Sequence, residues 1–146
     1  MNFVYLKFER THFDIYFKWF EEEQTREALY GIDEEWLEYV LKDTTGAEYA
    51  VFRDDKMVAV IGIKFPDEEN QFCVITNLAV NPELFGNGIG SQVLQDLEGI
   101  YKGNENESWV AYVEVKNEKA RRFFEKNGWK LNKEMDEDGM LRYFRE

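Results

Sequence analysis

Cysteine, histidine and positive charge are all scarce in this chain, and each scarcity removes a class of function. A single cysteine, Cys73, excludes an intrachain disulfide and cannot build a cysteine-based metal site alone. One histidine, His12, adds too little for structural zinc, so no metal is expected. No stretch approaches the roughly 18 consecutive apolar residues of a membrane-spanning helix. The opening Met1-Asn2-Phe3-Val4-Tyr5-Leu6-Lys7 also lacks the basic and then long apolar segments of a secretory leader, so a cytoplasmic protein is expected. Lys and Arg number 18 against 30 Asp and Glu, a net charge of −12. Nucleic acids and anionic membranes both call for a positive surface, so neither is an expected partner. The segment from Glu9 to Glu38 carries ten acidic residues against Arg10, Lys18 and Arg26, which favours a cationic partner.

What the chain does hold is apolar bulk: 44% hydrophobic residues, with 12 Phe, 8 Tyr and 4 Trp, enough for a core despite 33% charged residues. Its 146 residues suit one domain over 1–146 and are too few for two of ordinary size. Phe3 to Phe8 reads as a strand. Thr11, with Asp14 three residues on, reads as the cap of a helix burying Phe13, Tyr16, Phe17 and Phe20. After a turn at Tyr30-Gly31-Ile32, Asp33 caps a short helix with Trp36, Leu37, Val40 and Leu41 inward. Ala47 to Arg53 and Met57 to Phe65 form a hairpin across Asp54-Asp55-Lys56, and the near-continuous apolar run of the second strand makes it central. Gln71 to Val80 is a fourth strand, followed by a helix over about Ile89 to Tyr101 and a turn at Gly103 to Glu107. Ser108 to Val115 is a fifth strand. Asn117 caps a helix carrying Ala120, Phe123 and Phe124, closed by Asn127-Gly128. A hairpin around Asp136-Glu137-Asp138-Gly139 ends the chain. The order β-α-α-β-β-β-α-β-α-β-β supports an α/β or α+β fold with a mixed sheet.

Gly86, Gly88 and Gly90 fall on alternate positions between the fourth strand and the helix that follows. Unpartnered amides at a helix start, with glycines that let an anion approach, make a phosphate-binding design. Gly90 is followed by Ser91-Gln92 rather than Lys-Ser or Lys-Thr, so this is not a P-loop. The spacing G-x-G-x-G also misses the dinucleotide fingerprint. Leu78-Ala79-Val80 followed by Gly88-x-Gly90 resembles the acetyl-coenzyme A loop of the GNAT acetyltransferase superfamily, with Phe85 where that pattern carries Arg or Gln. Val115-Lys116-Asn117-Glu118-Lys119-Ala120-Arg121-Arg122-Phe123-Phe124-Glu125-Lys126-Asn127-Gly128-Trp129 resembles the second signature of the same family.

The resemblance implies a mixed, mostly antiparallel central sheet of about seven strands flanked by about four helices. It implies an N-acetyltransferase that moves an acetyl group from acetyl-coenzyme A to a primary amine by direct attack. Main-chain groups of Leu78, Ala79 and Val80 would hold the pantetheine arm, and Phe85, Gly86, Asn87, Gly88, Ile89, Gly90 and Ser91 the pyrophosphate. Asn117 is a helix cap, a contact to the coenzyme arm, or both. Lys119, Arg122 and Lys126, at i, i+3, i+7, are either a solvated face or neighbours of the adenosine phosphates. The resemblance puts Phe124 beside the coenzyme, where the family usually has a Tyr that protonates the leaving thiolate; water or another residue such as Tyr112 would substitute. The fourth strand lacks the carboxylate that many relatives use as a base, which leaves Glu114, on the same strand face as Tyr112, as the candidate. Cys73 reads as apolar filler and His12 as structural or exposed. The acidic runs Glu21-Glu22-Glu23 and Asp33-Glu34-Glu35 suit a cationic small-molecule or peptide amine as acceptor, and two copies can pair through terminal strands. The competing readings are a non-catalytic acyl-coenzyme A binding or sensor domain, which Phe85 and Phe124 favour, and an unrelated nucleotide-binding domain.

Overall fold

A computed structural model describes residues 2–21, 32–101, 108–135 and 139–145. The expected turns at Tyr30-Gly31, Gly103 to Glu107 and Asp136 to Asp138, and the acidic Glu22-Glu23, lie outside the described residues.

Among the described residues, seven strands form one sheet in the order β1-β2-β3-β4-β5-β7-β6. They are β1 (Val4–Lys7), β2 (Gly46–Arg53), β3 (Lys56–Lys64), β4 (Cys73–Val80), β5 (Trp109–Glu114), β6 (Lys130–Met135) and β7 (Met140–Arg145). Every neighbouring pair is antiparallel except β4 and β5. Met57 to Ile63 of β3 are all buried, as expected of a central strand covered on both faces. One face packs Ile61, Ile63, Ile75 and Trp109 against the helices α3 (Ile89–Gln95) and α4 (Leu97–Ile100) and against Phe124 of α5 (Glu118–Lys126). The other packs Ala50, Val60 and Ala79 against Phe13 and Tyr16 of α1 (Arg10–Lys18) and Leu37 of α2 (Glu34–Lys42). The mixed seven-stranded sheet thus has the expected class, with five α-helices rather than four among the described residues.

The extra helix comes from a break at Asp96, whose backbone leaves the helical region at φ −89°, ψ 0°. Its carboxylate accepts hydrogen bonds from Tyr5 Oη at 2.7 Å and Gln92 Nε2 at 3.0 Å. The apolar stripe runs on through the break, so periodicity alone hides it. At α1 the cap is Glu9, not Thr11: the N–H of Glu9 donates to Nδ1 of His12 at 3.0 Å. His12 is buried between Phe8 and Phe52 and is structural. That start turns the buried face to His12, Phe13 and Tyr16 and leaves Phe17 exposed, against expectation. Leu41 is also exposed, while Asp33 does cap α2 by accepting from the N–H of Trp36 at 3.0 Å.

Two irregularities shape the middle of the sheet. The β3–β4 register steps from Gly62↔Asn77 to Ile63↔Ile75, so Thr76 is an extra residue in a β-bulge. Beside it, β4 and β5 share only the pairs Cys73↔Trp109, Val74↔Val110 and Ile75↔Ala111. From Asn77 onward β4 pairs with β3 alone, and the sheet opens between its two parallel strands.

Candidate active site

The loop after β4 is built to hold a particular backbone path. Buried Asn81 donates from Nδ2 to the carbonyl of Met57 at 3.2 Å and accepts from the N–H of Glu83 at 3.0 Å, anchoring a 3₁₀ turn at Pro82–Leu84. Asn87 Nδ2 donates to the carbonyls of Leu84 at 2.9 Å and Phe85 at 3.3 Å. Gly86 and Gly88 have φ of +82° and +73°, a left-handed conformation that side chains disfavour. The first intrahelical bond of α3 runs from the N–H of Gln92 to the carbonyl of Gly88, so the amides of Ile89, Gly90 and Ser91 precede it. Gly90 has a different reason to be glycine: a Cβ there would lie 3.1 Å from the Phe123 ring, so its absence lets α3 approach α5.

A cleft of about 500 Å³ lies between this loop and α5. Leu78, Ala79, Val80, Phe85, Gly86, Asn87, Gly88, Ile89, Gly90, Ser91, Asn117 and Phe124, the coenzyme-side residues singled out from sequence, all line it. So do Lys119, Arg122 and Lys126, the basic stripe of α5. Lys119 Nζ sits 5.0 Å from the centre of the Phe85 ring, a cation–π contact between the loop and α5. Asn117 caps α5 by accepting from the N–H of Ala120 at 3.1 Å while still lining the cleft, so its two ends serve two purposes. The Phe124 ring is buried against Trp129 at 5.0 Å and Tyr143 at 5.9 Å.

A second cleft, about 850 Å³, is lined by Ile32, Trp36, Thr76, Asn77, Tyr112, Glu114 and Lys116 among others. Both clefts are lined by Leu78, Asn117, Lys119, Ala120 and Phe124, so they meet where β4 parts from β5. Tyr112 is exposed on its strand. The Glu114 carboxylate lies 3.7 Å from Lys116 Nζ. Cys73 is fully buried, and burial pushes its thiol up to about 11, far from the ionisation a nucleophile needs. Arg10 pairs with Glu34 at 2.9 Å and so neutralises part of the acidic run at 33–35. Among the described residues, no three of His, Cys, Asp and Glu are grouped to hold a metal, and no helix is long and apolar enough to cross a membrane.

Sequence reasoning passed over Glu48. It points inward from β2 and is 8% exposed, opposite Gly62 on β3, which in turn lies opposite Asn77 on β4. Its Oε2 accepts from Asn77 Nδ2 at 3.3 Å, and the same Nδ2 lies 3.1 Å from Tyr16 Oη. Burial is the main cause that pushes the carboxyl up to about 8; the negative charge of Asp43 adds to it and the Asn77 hydrogen bond opposes it. The signal was available: Glu48 shares strand parity with buried Ala50, and a glycine faces it on the next strand.

Residues 8–129 match the sequence profile of the Acetyltransferase (GNAT) family. The chain is 31% identical over 126 residues to YfmK of Bacillus subtilis (strain 168), described as an uncharacterized N-acetyltransferase, covering 84% of this chain and 82% of that protein. An acetyltransferase from Thermus thermophilus superposes with a TM-score of 0.82 at 18% identity, covering 99% of this chain and 97% of its own. The N-acetyltransferase PseH of Campylobacter jejuni, solved with acetyl-coenzyme A, superposes with a TM-score of 0.72 at 18% identity over 99% of both chains.

Proposed function

The chain belongs to the GNAT family of acetyltransferases, and from that premise we propose that it is an N-acetyltransferase carrying an acetyl group from acetyl-coenzyme A to a cationic primary amine by direct attack. The observation that carries this reading is the opening between β4 and β5, where two clefts of different character meet. An extended chain can add to an unpaired strand edge, and β4 leaves such an edge from Thr76 onward. Leu78, Ala79 and Val80 would hold the pantetheine arm there. The amides from Gly86 to Ser91 suit the pyrophosphate. Lys119, Arg122 and Lys126 supply the positive charge that the adenosine phosphates need on an otherwise acidic chain.

The wider cleft is the acceptor side in this reading. Its Tyr112 and Glu114 are the polar groups singled out for acid–base work. In this reading Glu114, 3.7 Å from Lys116 Nζ on the cleft wall, helps draw the acceptor's ammonium group in. Tyr112 serves to orient the amine. Main-chain donors at the open edge of β4 would polarise the thioester oxygen, as oxyanion donors do in acyl transfer. Cytoplasmic location belongs to the same reading. So does pairing of two copies through terminal strands, for which edge strand β1 offers exposed Val4 and Leu6.

The test is a panel of primary amines, including spermidine, an aminoglycoside and a peptide with a free N-terminus, assayed for thiol release from acetyl-coenzyme A. Saturable turnover of at least one amine is the expected result. Tight coenzyme binding with no turnover of any amine would instead favour the sensor-domain reading that Phe85 and Phe124 suggest.

A further inference from the structure

The buried Glu48 has no part in coenzyme binding, yet several residues are arranged around it. Its Oε2 is engaged by Asn77, which lines the acceptor cleft. Its Oε1 points the other way: a Cβ on Gly62 would fall 1.9 Å from Glu48 Oε1 and 2.7 Å from Thr76 Oγ1. The missing side chain at Gly62 therefore makes room for the Glu48 carboxyl itself, and Thr76 Oγ1 borders the same spot. Thr76 is the bulged residue of β4, exposed, with its side chain on the acceptor cleft. Bulges re-aim side chains, and this one sets a hydroxyl between a buried carboxyl and the cleft.

We infer that Glu48 is the proton acceptor for the acceptor amine, acting across the Thr76 hydroxyl, with Asn77 and Tyr16 holding the carboxyl in place. The inference rests on the acetyltransferase reading. The ammonium N–H bond breaks and its proton goes to Thr76 Oγ1, while the hydroxyl's own hydrogen passes to Glu48 Oε1. A neutral amine and a neutral carboxyl result. The amine lone pair then attacks the acetyl carbon, the C–S bond breaks with its electron pair on sulfur, and the proton still surplus on nitrogen goes to that thiolate. Glu48 finally releases its proton to solvent. The sum is ammonium plus thioester giving amide, thiol and one proton, and no hydroxyl is required at Phe124.

The surroundings suit a base that works near neutral pH. An ordinary carboxyl is too weak a base for an amine titrating near pH 10, and matching improves as the carboxyl's own value rises. The groups that face Glu48 are Tyr16 from α1, Asn77 and Thr76 from β4, and Asp43 at the end of α2, the last acting by charge. Burial raises the Tyr16 phenol above its ordinary range, so it stays neutral. Just after β1, the N–H of Phe8 donates to the Glu48 carbonyl at 2.9 Å, a main-chain contact only.

The test compares wild type, Glu48→Gln and Thr76→Val on whichever amine of the panel turns over, with coenzyme affinity measured for each. Expected are a drop in kcat of about 100-fold in Glu48→Gln and at least about tenfold in Thr76→Val, with coenzyme affinity unchanged within about twofold. The rise of kcat/KM with pH that reports the carboxyl should vanish in Glu48→Gln, leaving a residual rate that keeps climbing as free amine accumulates. Glu48→Asp should recover part of the loss. Thr76 is exposed, so its variant keeps the test intact if Glu48→Gln fails to fold. Wild-type turnover with both variants within about threefold and an unchanged pH profile would overturn the inference and leave the acetyltransferase reading standing. Coenzyme binding without turnover of any amine by wild type would overturn both.

Discussion

The two clefts that meet beside Leu78 are made of different material. The cleft proposed for the coenzyme is drawn from two short stretches, 78–91 and 117–126, and includes the three glycines of the loop. The cleft proposed for the acceptor gathers residues from α2, β4, β5, α5 and β7, with Asn77 in its lining held from behind by Tyr16 of α1 and Glu48 of β2. Main-chain recognition tolerates change in side chains, so Phe85 and Phe124 can depart from the family pattern without closing the first cleft. Side-chain recognition has less tolerance, and in the proposed reading specificity belongs to the second cleft.

The largest expected effect concerns the floor of the acceptor cleft. Glu48 has an ordinary value of 4.5 and is pushed up to about 8 in the fold. Between those values the unfolded chain holds fewer protons than the folded one, so this contribution to stability is full at acid pH and is lost as pH rises toward 8. Chemical denaturation from pH 5 to 8 should show wild type losing on the order of 3–4 kcal/mol relative to Glu48→Gln. Parallel curves would show that the carboxyl is not held out of water.

Next, Gly62→Val places a side chain where the Glu48 carboxyl now lies beside Thr76. Turnover should fall about 100-fold while coenzyme affinity stays within about twofold. Equal loss of both would mean that the two clefts are not independent. Reversing the basic stripe with Lys119→Glu, Arg122→Glu and Lys126→Glu together should weaken the coenzyme about tenfold at low ionic strength and much less at about 0.5 M salt. A salt-independent loss would point to damage in α5 rather than lost attraction. The smallest effect is expected of Tyr112→Phe: a thiolate that takes its proton from the attacking nitrogen leaves kcat within about threefold. A fall of about 100-fold would make the Tyr112 hydroxyl the acid.

The same contrast explains what could be read from residues alone. The glycine loop and α5 were legible because their chemistry is local: positive φ, unpartnered amides and a cap all lie within a few residues of one another. The central position of β3 was equally legible from its unbroken apolar run. The break at Asp96 was not, since it depends on Tyr5, 91 residues away. Neither was the capping of α1 by Glu9, because a histidine took the place of the usual acidic partner. Thr76 carries no local sign of a bulge; its position follows from the register between β3 and β4. Glu114 was legible from alternation, which puts it on the face of Tyr112, and the same alternation brings Lys116 to within 3.7 Å of its carboxylate.

The central claim is that this chain binds acetyl-coenzyme A through the loop after β4. Calorimetric titration of the wild-type protein and a Gly88→Trp variant, with ATP as the control ligand, tests it most directly. Gly88 has a left-handed backbone at the mouth of α3, where a tryptophan would be strained and would fill the approach to the amides. Saturable binding of acetyl-coenzyme A by wild type, weakened by about 100-fold or more in the variant and unmatched by ATP, is the predicted result. No heat of binding up to millimolar coenzyme, or equal binding by the variant, would contradict it.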